Sequence, residues 1–508
     1  MNVFFYRNKI RACLCLLLAG LLLLCACRRA PEPEDTTAPE ESTTDAPLPA
    51  GSITVPYTEL DPLNPFFTET LINASLISLV YDSLFYLDVG FLPVPSVAKD
   101  CSAVELTLKV SLLDSLVFSD TAPLTAADVV YSFLKAKESP LYAESLKNFV
   151  SCEADGSYSV VFTLEDPDVN AVNLLTFPIV KLGTAEEATD LPTGTGCYQY
   201  ARDDLRLYLT YNLRHAGGIP EIGTVRLREV NTSATLMHLL NTGSIDCFFT
   251  DLSDGSAKRS YSGVNEIYLN NLVFLGVNHA SPMLDIADLR KAVSLAVSRQ
   301  ALAENAFVSH ARPAVYPVNS SWDAILEIPD PVNAKFEADV GAADAILSSM
   351  QMGIEGKPLY YTLIAEEGNA FLRAAALQLA DQLSQVNIKI EVQFLSAYAF
   401  SAALMEGEYD FYLSEIKLTK NMDLSPFFSS GGAAAYGIDR SSIDTGEIYW
   451  QYKAGQTELS AFLAAFDETL PFIPLLYRNG QFCYSRSVKS GVLATEDRLY
   501  LNIAEWEI

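Results

Sequence analysis

Positive charge is scarce in this sequence: 34 lysines and arginines stand against 63 aspartates and glutamates in 508 residues, a formal charge of −29. No basic stripe interrupts the acidity, so a phosphate backbone would be repelled and nucleic acid is excluded as a partner. Histidine is rarer still. His215, His238, His279 and His310 lie far apart, none with a second His or Cys at metal-ligand spacing. No C-x-x-C pair and no G-x-S-x-G elbow occur. Gly194-Thr195-Gly196 runs into a strand-like Cys-Tyr-Gln-Tyr and lacks the lysine and helix of a phosphate loop. Carboxylates are so frequent that close pairs arise by chance. The chain reads as a non-enzyme with no cofactor and no metal site.

What is present is a globular composition, with half the residues apolar, 11% aromatic and 19% charged. The first eleven residues carry Arg7, Lys9 and Arg11 without an acid, and an apolar run of about a dozen residues follows. That run is shorter than the ~20 residues a membrane-spanning helix needs. Leu24-Cys25-Ala26-Cys27 resembles the lipobox of bacterial lipoproteins, with Ala26 before the cut and Cys27 after it. Residues 1–26 then read as a signal peptide and Cys27 as the lipidated residue, an uncleaved anchor helix being the alternative. Residues 27–50 are rich in Pro, Thr, Glu and Ala and hold no aromatic. They cannot bury enough surface to fold and read as an acidic tether. The expected location is the extracytoplasmic face of the cell membrane, held by lipid.

Five further cysteines remain: Cys101, Cys152, Cys197, Cys247 and Cys483. A Cys101–Cys152 disulfide is conceivable in an extracytoplasmic chain, and free thiols are the alternative. Strand-like stretches fall at 105–112, 158–164, 205–211, 224–229 and 271–278. Helical periodicity covers 126–137, 232–242, 286–306 and 370–386. Thr125 with Asp128 three residues on forms a variant capping box. Ile286, Leu289, Val293, Ala296 and Val297 make one apolar stripe, read as core. Strands and helices interleave without a β-α-β period, so the class is mixed α/β rather than a doubly wound sheet.

The order of segments resembles the peptide/nickel-type extracellular solute-binding proteins, family 5, of ABC transporters. Leu60-Asp61-Pro62-Leu63-Asn64-Pro65 is similar to that family's opening L-N-P turn, and Leu79-Val80-Tyr81-Asp82-Ser83-Leu84-Phe85 to its Y-E-G-L-F helix. The stretch 118–129, FSDTAPLTAADV, is similar to F-H-D-G-T-P-L-T-A-E-D-V and is the most specific block. Pro192 to Tyr198, Leu240 to Phe248, Asp288 to Val293 and Phe472 to Leu475 resemble later blocks in family order. Ala122 stands where the family has Gly. Near Asp423 the family's Asp-Pro has its proline displaced to Pro426.

The resemblance implies a periplasmic-binding-protein-like type II clamp of two lobes with an extra inserted β-rich domain. Domain I would comprise 51–88, 206–278 and 470–508, domain II 89–205, and domain III 279–469. Closure of the lobes on a ligand would be read by a membrane permease. In peptide-binding relatives the aspartate matching Asp423 holds the ligand's α-amino group. Thr419, Lys420 and Asn421 just before it would serve the ligand's backbone, unless they are plain loop residues. Trp322 would line a side-chain pocket or pack in the core. Tyr57 and Asn64 would face the cleft, and Arg312 would meet a ligand carboxylate. The expected function is capture of short peptides for an ABC importer by a monomer. The alternatives are another solute (nickel chelate, haem or oligosaccharide) or a surface sensor or adhesin with this fold.

Overall fold

The computed structural model describes residues 51–204, 206–217, 219–255, 263–326, 336–353, 357–439 and 445–508. The signal peptide, Cys27 and the tether lie outside the described residues. Among the described residues, no helix is long and apolar enough to cross a membrane.

Mixed α/β architecture is what the chain adopts. A first sheet places Gly51–Tyr57 parallel to Ile222–Glu229, followed by Leu207–Tyr211 and Tyr198–Arg202 in antiparallel order. A second, fully antiparallel sheet runs Ala98–Val104, Thr107–Leu112, Ser159–Leu164, Phe149–Ala154. In Ser159–Leu164 every second residue is buried, the period-2 pattern of a sheet with one wet face. The helix Ala126–Glu138 packs on this sheet through an aromatic cluster in which Phe133 meets Phe149 and Phe162 edge to face. Its start is the capping box read from sequence: Asp128 Oδ2 accepts from Thr125 N and Oγ1, both at 2.8 Å.

The third sheet is built on two unusually long strands, Gly263–Val277 and Ile473–Tyr484, paired antiparallel along their length. Cys247–Thr250 joins one end of this ribbon. Phe411–Lys417, Leu359–Glu366 and Ile388–Leu395 extend the sheet at the other. The two ends serve different cores. Ile267, Leu269 and Phe482 belong to the core shared with the first two sheets. Val273, Leu275, Ile473 and Leu475 belong to a separate core under the helices Ala287–Leu295 and Ala370–Ser384. Between them the pairing slips by a bulge between Tyr268 and Asn271. A bulge leaves backbone groups unpaired and bends the strand. Asn319 meets one of them, donating Nδ2 to Leu269 O at 3.0 Å.

Two readings of local structure are corrected. The stretch 79–85 is not a helix throughout: the helix Ile77–Val80 stops and Tyr81 is extended, so that Phe85–Leu87 can pair with Pro93–Pro95. The periodic run 286–306 is broken after Leu295. Ser298 N donates to Gln382 Oε1 and Arg299 N to Phe336 O, and Ser298 Oγ caps a new short helix at Arg299–Ala301. Leu289, Val293, Ala296 and Val297 are nevertheless buried together, as the stripe required.

The five cysteines among the described residues are free. Cys101 and Cys152 lie on the two outer strands of the second sheet, with two strands between them. Three strand spacings amount to about 14 Å, twice the Cα separation a disulfide spans. Burial pushes the Cys101 thiol up to about 11 and Cys152 and Cys197 to about 12.

Gly276 faces Tyr412 in the ladder, and a Cβ there would sit 1.9 Å from the ring. That ring is held by Phe274 and Tyr409 edge to face and by its hydroxyl on Ala434 O at 3.1 Å. Gly276→Ala should therefore cost about 1–3 kcal/mol by overpacking, read as a lower urea midpoint. A loss within about 0.5 kcal/mol would mean the ring swings aside freely.

Candidate functional site: the groove at the crossing strands

The loop after Phe411–Lys417 leaves its strand where the ribbon bulges. Leu418 N donates to Asn270 O at 2.9 Å, and Asn270 Nδ2 returns a bond to Thr419 O at 2.8 Å. Met422 takes a left-handed conformation (φ 55°), which turns the loop tightly enough for Met422 N to reach Thr419 O. From that turn the loop meets two other parts of the chain. Asn421 receives Thr419 Oγ1 on Oδ1 and donates Nδ2 to Asp168 Oδ2, each at 2.6 Å. Asn173 Nδ2 donates to Lys420 O at 3.2 Å, and Lys420 Nζ donates to Thr176 Oγ1 and pairs with Asp497.

Asp423 stands at the end of the loop. Its Oδ1 accepts from the Tyr449 hydroxyl at 2.6 Å and Ser425 N at 3.2 Å, and its Oδ2 from Ser425 Oγ at 2.5 Å. The Lys453 ammonium lies 4.0 Å from Oδ1 and makes its close bond, 2.6 Å, to Asp168 Oδ2. Burial raises the Asp423 carboxyl, but Lys453 and the Ser425 and Tyr449 hydroxyls outweigh it and hold it below the ordinary value. Thr419, Asn421 and Asp423 share one cavity of about 670 Å³ with Asp168, Lys453 and Trp450.

Lys420 faces elsewhere. With Thr419 it lines a second cavity, about 400 Å³, closed on the other sides by Tyr142, Thr176, Phe249 and Arg498. Three ion pairs border it: Lys417 with Glu496 at 2.5 Å, Lys420 with Asp497, and Arg498 with Asp82 at 2.5 Å. The Glu496 carboxylate, foremost, holds the Lys417 ammonium above its ordinary value. Asp82 also accepts from Thr195 Oγ1 at 2.9 Å, which ties the 79–85 and 192–198 blocks together. Gly194 and Gly196 lie against Val80 O, where a Cβ would come within 2.7 Å.

The remaining candidates lie elsewhere. Asn64 is fully buried, its Nδ2 donating to Glu187 O and its Oδ1 accepting from Phe66 N inside the turn. Tyr57 lines a separate cavity beside the first sheet. Burial first, then Glu59, pushes its hydroxyl up to about 12. Trp322 is buried in the core cluster that also holds Leu87 and Phe91. Arg312 stacks on the Tyr268 ring at 3.7 Å and donates to Asn479 and Asn319 at the bulge, and burial pushes it down to about 10. Asp168, Tyr449, Lys453, Glu496 and Asp497 were not singled out from sequence. Their partners lie up to several hundred residues away, and nothing local marks them.

With this geometry in hand, comparison with known proteins is informative. The family described as bacterial extracellular solute-binding proteins, family 5 middle, matches residues 93–435. The chain belongs to that family. The oligopeptide-binding protein AppA of Bacillus subtilis is 24% identical over 341 residues, 60% of this chain and 61% of AppA. The family 5 chain thus spans less than two thirds of the length of the relatives it matches. Among solved structures, the ABC transporter substrate-binding protein CtaP of Listeria monocytogenes aligns with a TM-score of 0.69 at 18% identity. That alignment covers 90% of this chain and 99% of CtaP. NikA of Brucella suis in complex with Fe(III)-EDTA aligns with a TM-score of 0.67 at 16% identity, covering 90% and 99%. These structures carry the fold: the type II clamp architecture of solute-binding proteins.

Proposed function

We propose that the chain is the extracytoplasmic binding component of an ABC importer, anchored by lipid on Cys27 and capturing short peptides. The observation that carries this reading is the groove itself. Segments near residues 75, 142, 176, 250, 418 and 497 converge on it at the point where the ribbon bulges between two separate cores. Residues 51–88, 206–278 and 470–508 form one lobe in this reading, 279–469 the other, and 89–205 the inserted domain. The lobes hinge at Leu269–Asn270 and Arg478–Asn479, and a ligand touching both favours closure. The oligopeptide-binding name of AppA points to peptides. Asp423 lies in the adjoining cavity, which shares Glu144, Ser145, Leu174 and Thr419 with this groove. It serves the α-amino group, since among the described residues its Oδ2 accepts one hydroxyl, that of Ser425, and retains acceptor capacity.

Thermal unfolding of the full chain against pools of di- to hexapeptides, sugars and nickel-histidine tests the reading. Peptides should raise the midpoint, with ~2.7 kcal/mol of added stability at one hundred times the dissociation constant. Asp423→Asn should abolish that rise. A rise with nickel-histidine alone would favour a chelate, the class suggested by the Fe(III)-EDTA complex of NikA. The metal would have to arrive with its own chelator, because no three potential ligands cluster among the described residues.

A further inference from the structure

A third cavity, about 420 Å³, shares Lys420, Glu496 and Asp497 with the groove and has an unbalanced wall. Four carboxylates line it, those of Asp88, Glu266, Glu496 and Asp497, against the single ammonium of Lys420. Two of the four are already met by Lys417 and Lys420. Asp88 and Glu266 have no lysine or arginine partner among the described residues. Asp88 Oδ1 accepts only the N–H groups of Gly90 and Leu92, both at 2.9 Å. Glu266 Oε1 meets His310 Nδ1 at 3.1 Å and the Gln481 amide at 3.5 Å.

Apart from Asn265 and Thr495 the rest of the wall is apolar, with Val89, Phe91 and Tyr268 on it. Tyr268 is 38% exposed, and Arg312 stacked on it shows that the ring accepts a guanidinium. A bare metal ion would gain nothing from the apolar part, whereas an aliphatic stem ending in a cation matches both parts.

We propose that this cavity receives the cationic side chain of the ligand, so that the clamp selects lysine- or arginine-bearing peptides. The inference rests on the peptide-capture reading above. The ammonium or guanidinium binds between Asp88 and Glu266, and its stem lies along Val89, Phe91 and Tyr268. The charge of −29 on the chain draws such ligands in at long range.

Titration calorimetry of the full chain with tri-lysine, tri-alanine and tri-glutamate decides it. Tri-lysine should bind at least about tenfold tighter than tri-alanine, with tri-glutamate weakest. In Asp88→Asn/Glu266→Gln the ratio of tri-lysine to tri-alanine affinity should fall to near one. A control of equal charge change on the exposed second sheet, Asp100→Asn/Glu153→Gln, should keep it. Equal wild-type affinity for tri-lysine and tri-alanine would overturn the cation selectivity and leave peptide capture standing. Collapse of the ratio in the control as well would assign the preference to bulk charge and overturn the cavity's role. No binding of any peptide would overturn both readings.

Discussion

Lys453→Met lowers the stability of the chain by about 3–5 kcal/mol, because it strips a buried carboxylate of the ammonium that meets it. The side chains of Lys453 and Asp168 are 7% and 2% exposed, and their charges meet at 2.6 Å. Without Lys453, Asp168 retains Asn421 Nδ2 on Oδ2 and Asn170 N on Oδ1, hydrogen bonds that do not balance a buried charge. Asp423 loses the same ammonium from its neighbourhood. Since Asn421 hangs on Asp168, the Thr419–Asp423 loop should loosen as well. Lys453→Met combined with Asp168→Leu should recover much of the loss, because replacing both charges removes the orphan. The pH dependence has a definite sign. The folded Asp423 carboxyl titrates below its ordinary value. Its contribution is therefore complete above the unfolded value of about 4 and lost as pH falls through the lower, folded value. Urea midpoints at pH 7 and across pH 5 to 3 read both effects. A single-variant loss below about 1 kcal/mol, the range of exposed pairs, would mean that water already reaches the pair.

The second large effect is expected at the crossing strands. Arg478 is 2% exposed and grips Glu415 through Nε at 3.0 and 2.9 Å and Nη2 at 2.7 Å. Asn271, at the bulge, adds its Nδ2 to the same carboxylate at 2.7 Å. Arg478 Nη1 has no partner among the described residues, so this guanidinium leans on Glu415. Glu415→Gln should cost about 3–5 kcal/mol by leaving a buried cation unpaired. Glu415 also sits on the strand that delivers Lys417 to Asp423 to the groove. The peptide-induced rise in unfolding midpoint should therefore shrink along with the stability. If stability falls while the peptide-induced rise is unchanged, the pair braces the sheet without positioning the loop.

Much of the local structure was legible because its causes are local. Thr125 and Asp128 are three residues apart, and their capping box needs nothing else to start a helix. The strand-like stretch 158–164 forms the strand Ser159–Leu164, and the stripe from Leu289 to Val297 is buried as read. Where a distant group competes for the backbone, local reading fails. Gln382 and the Phe336 carbonyl take the N–H groups of Ser298 and Arg299 and break a run that is periodic on its own. The loop 419–423 named from sequence borders cavities: three of its residues line one, and Lys420 lines two others. Trp322 and Asn64 went instead to the core and to a turn.

By itself the sequence determined the family and the mixed α/β class. These follow from composition, period and short blocks, whose physics is contained within a few residues. Only the tertiary structure decided which charges meet. Asp82 with Arg498, Lys417 with Glu496 and Asp168 with Lys453 are joined across 79 to 416 residues. In a chain with 63 carboxylates nothing local distinguishes those that find a lysine or arginine from Asp88 and Glu266, which find neither among the described residues. Burial and long-range pairing make that distinction, and both exist only once the strands have crossed.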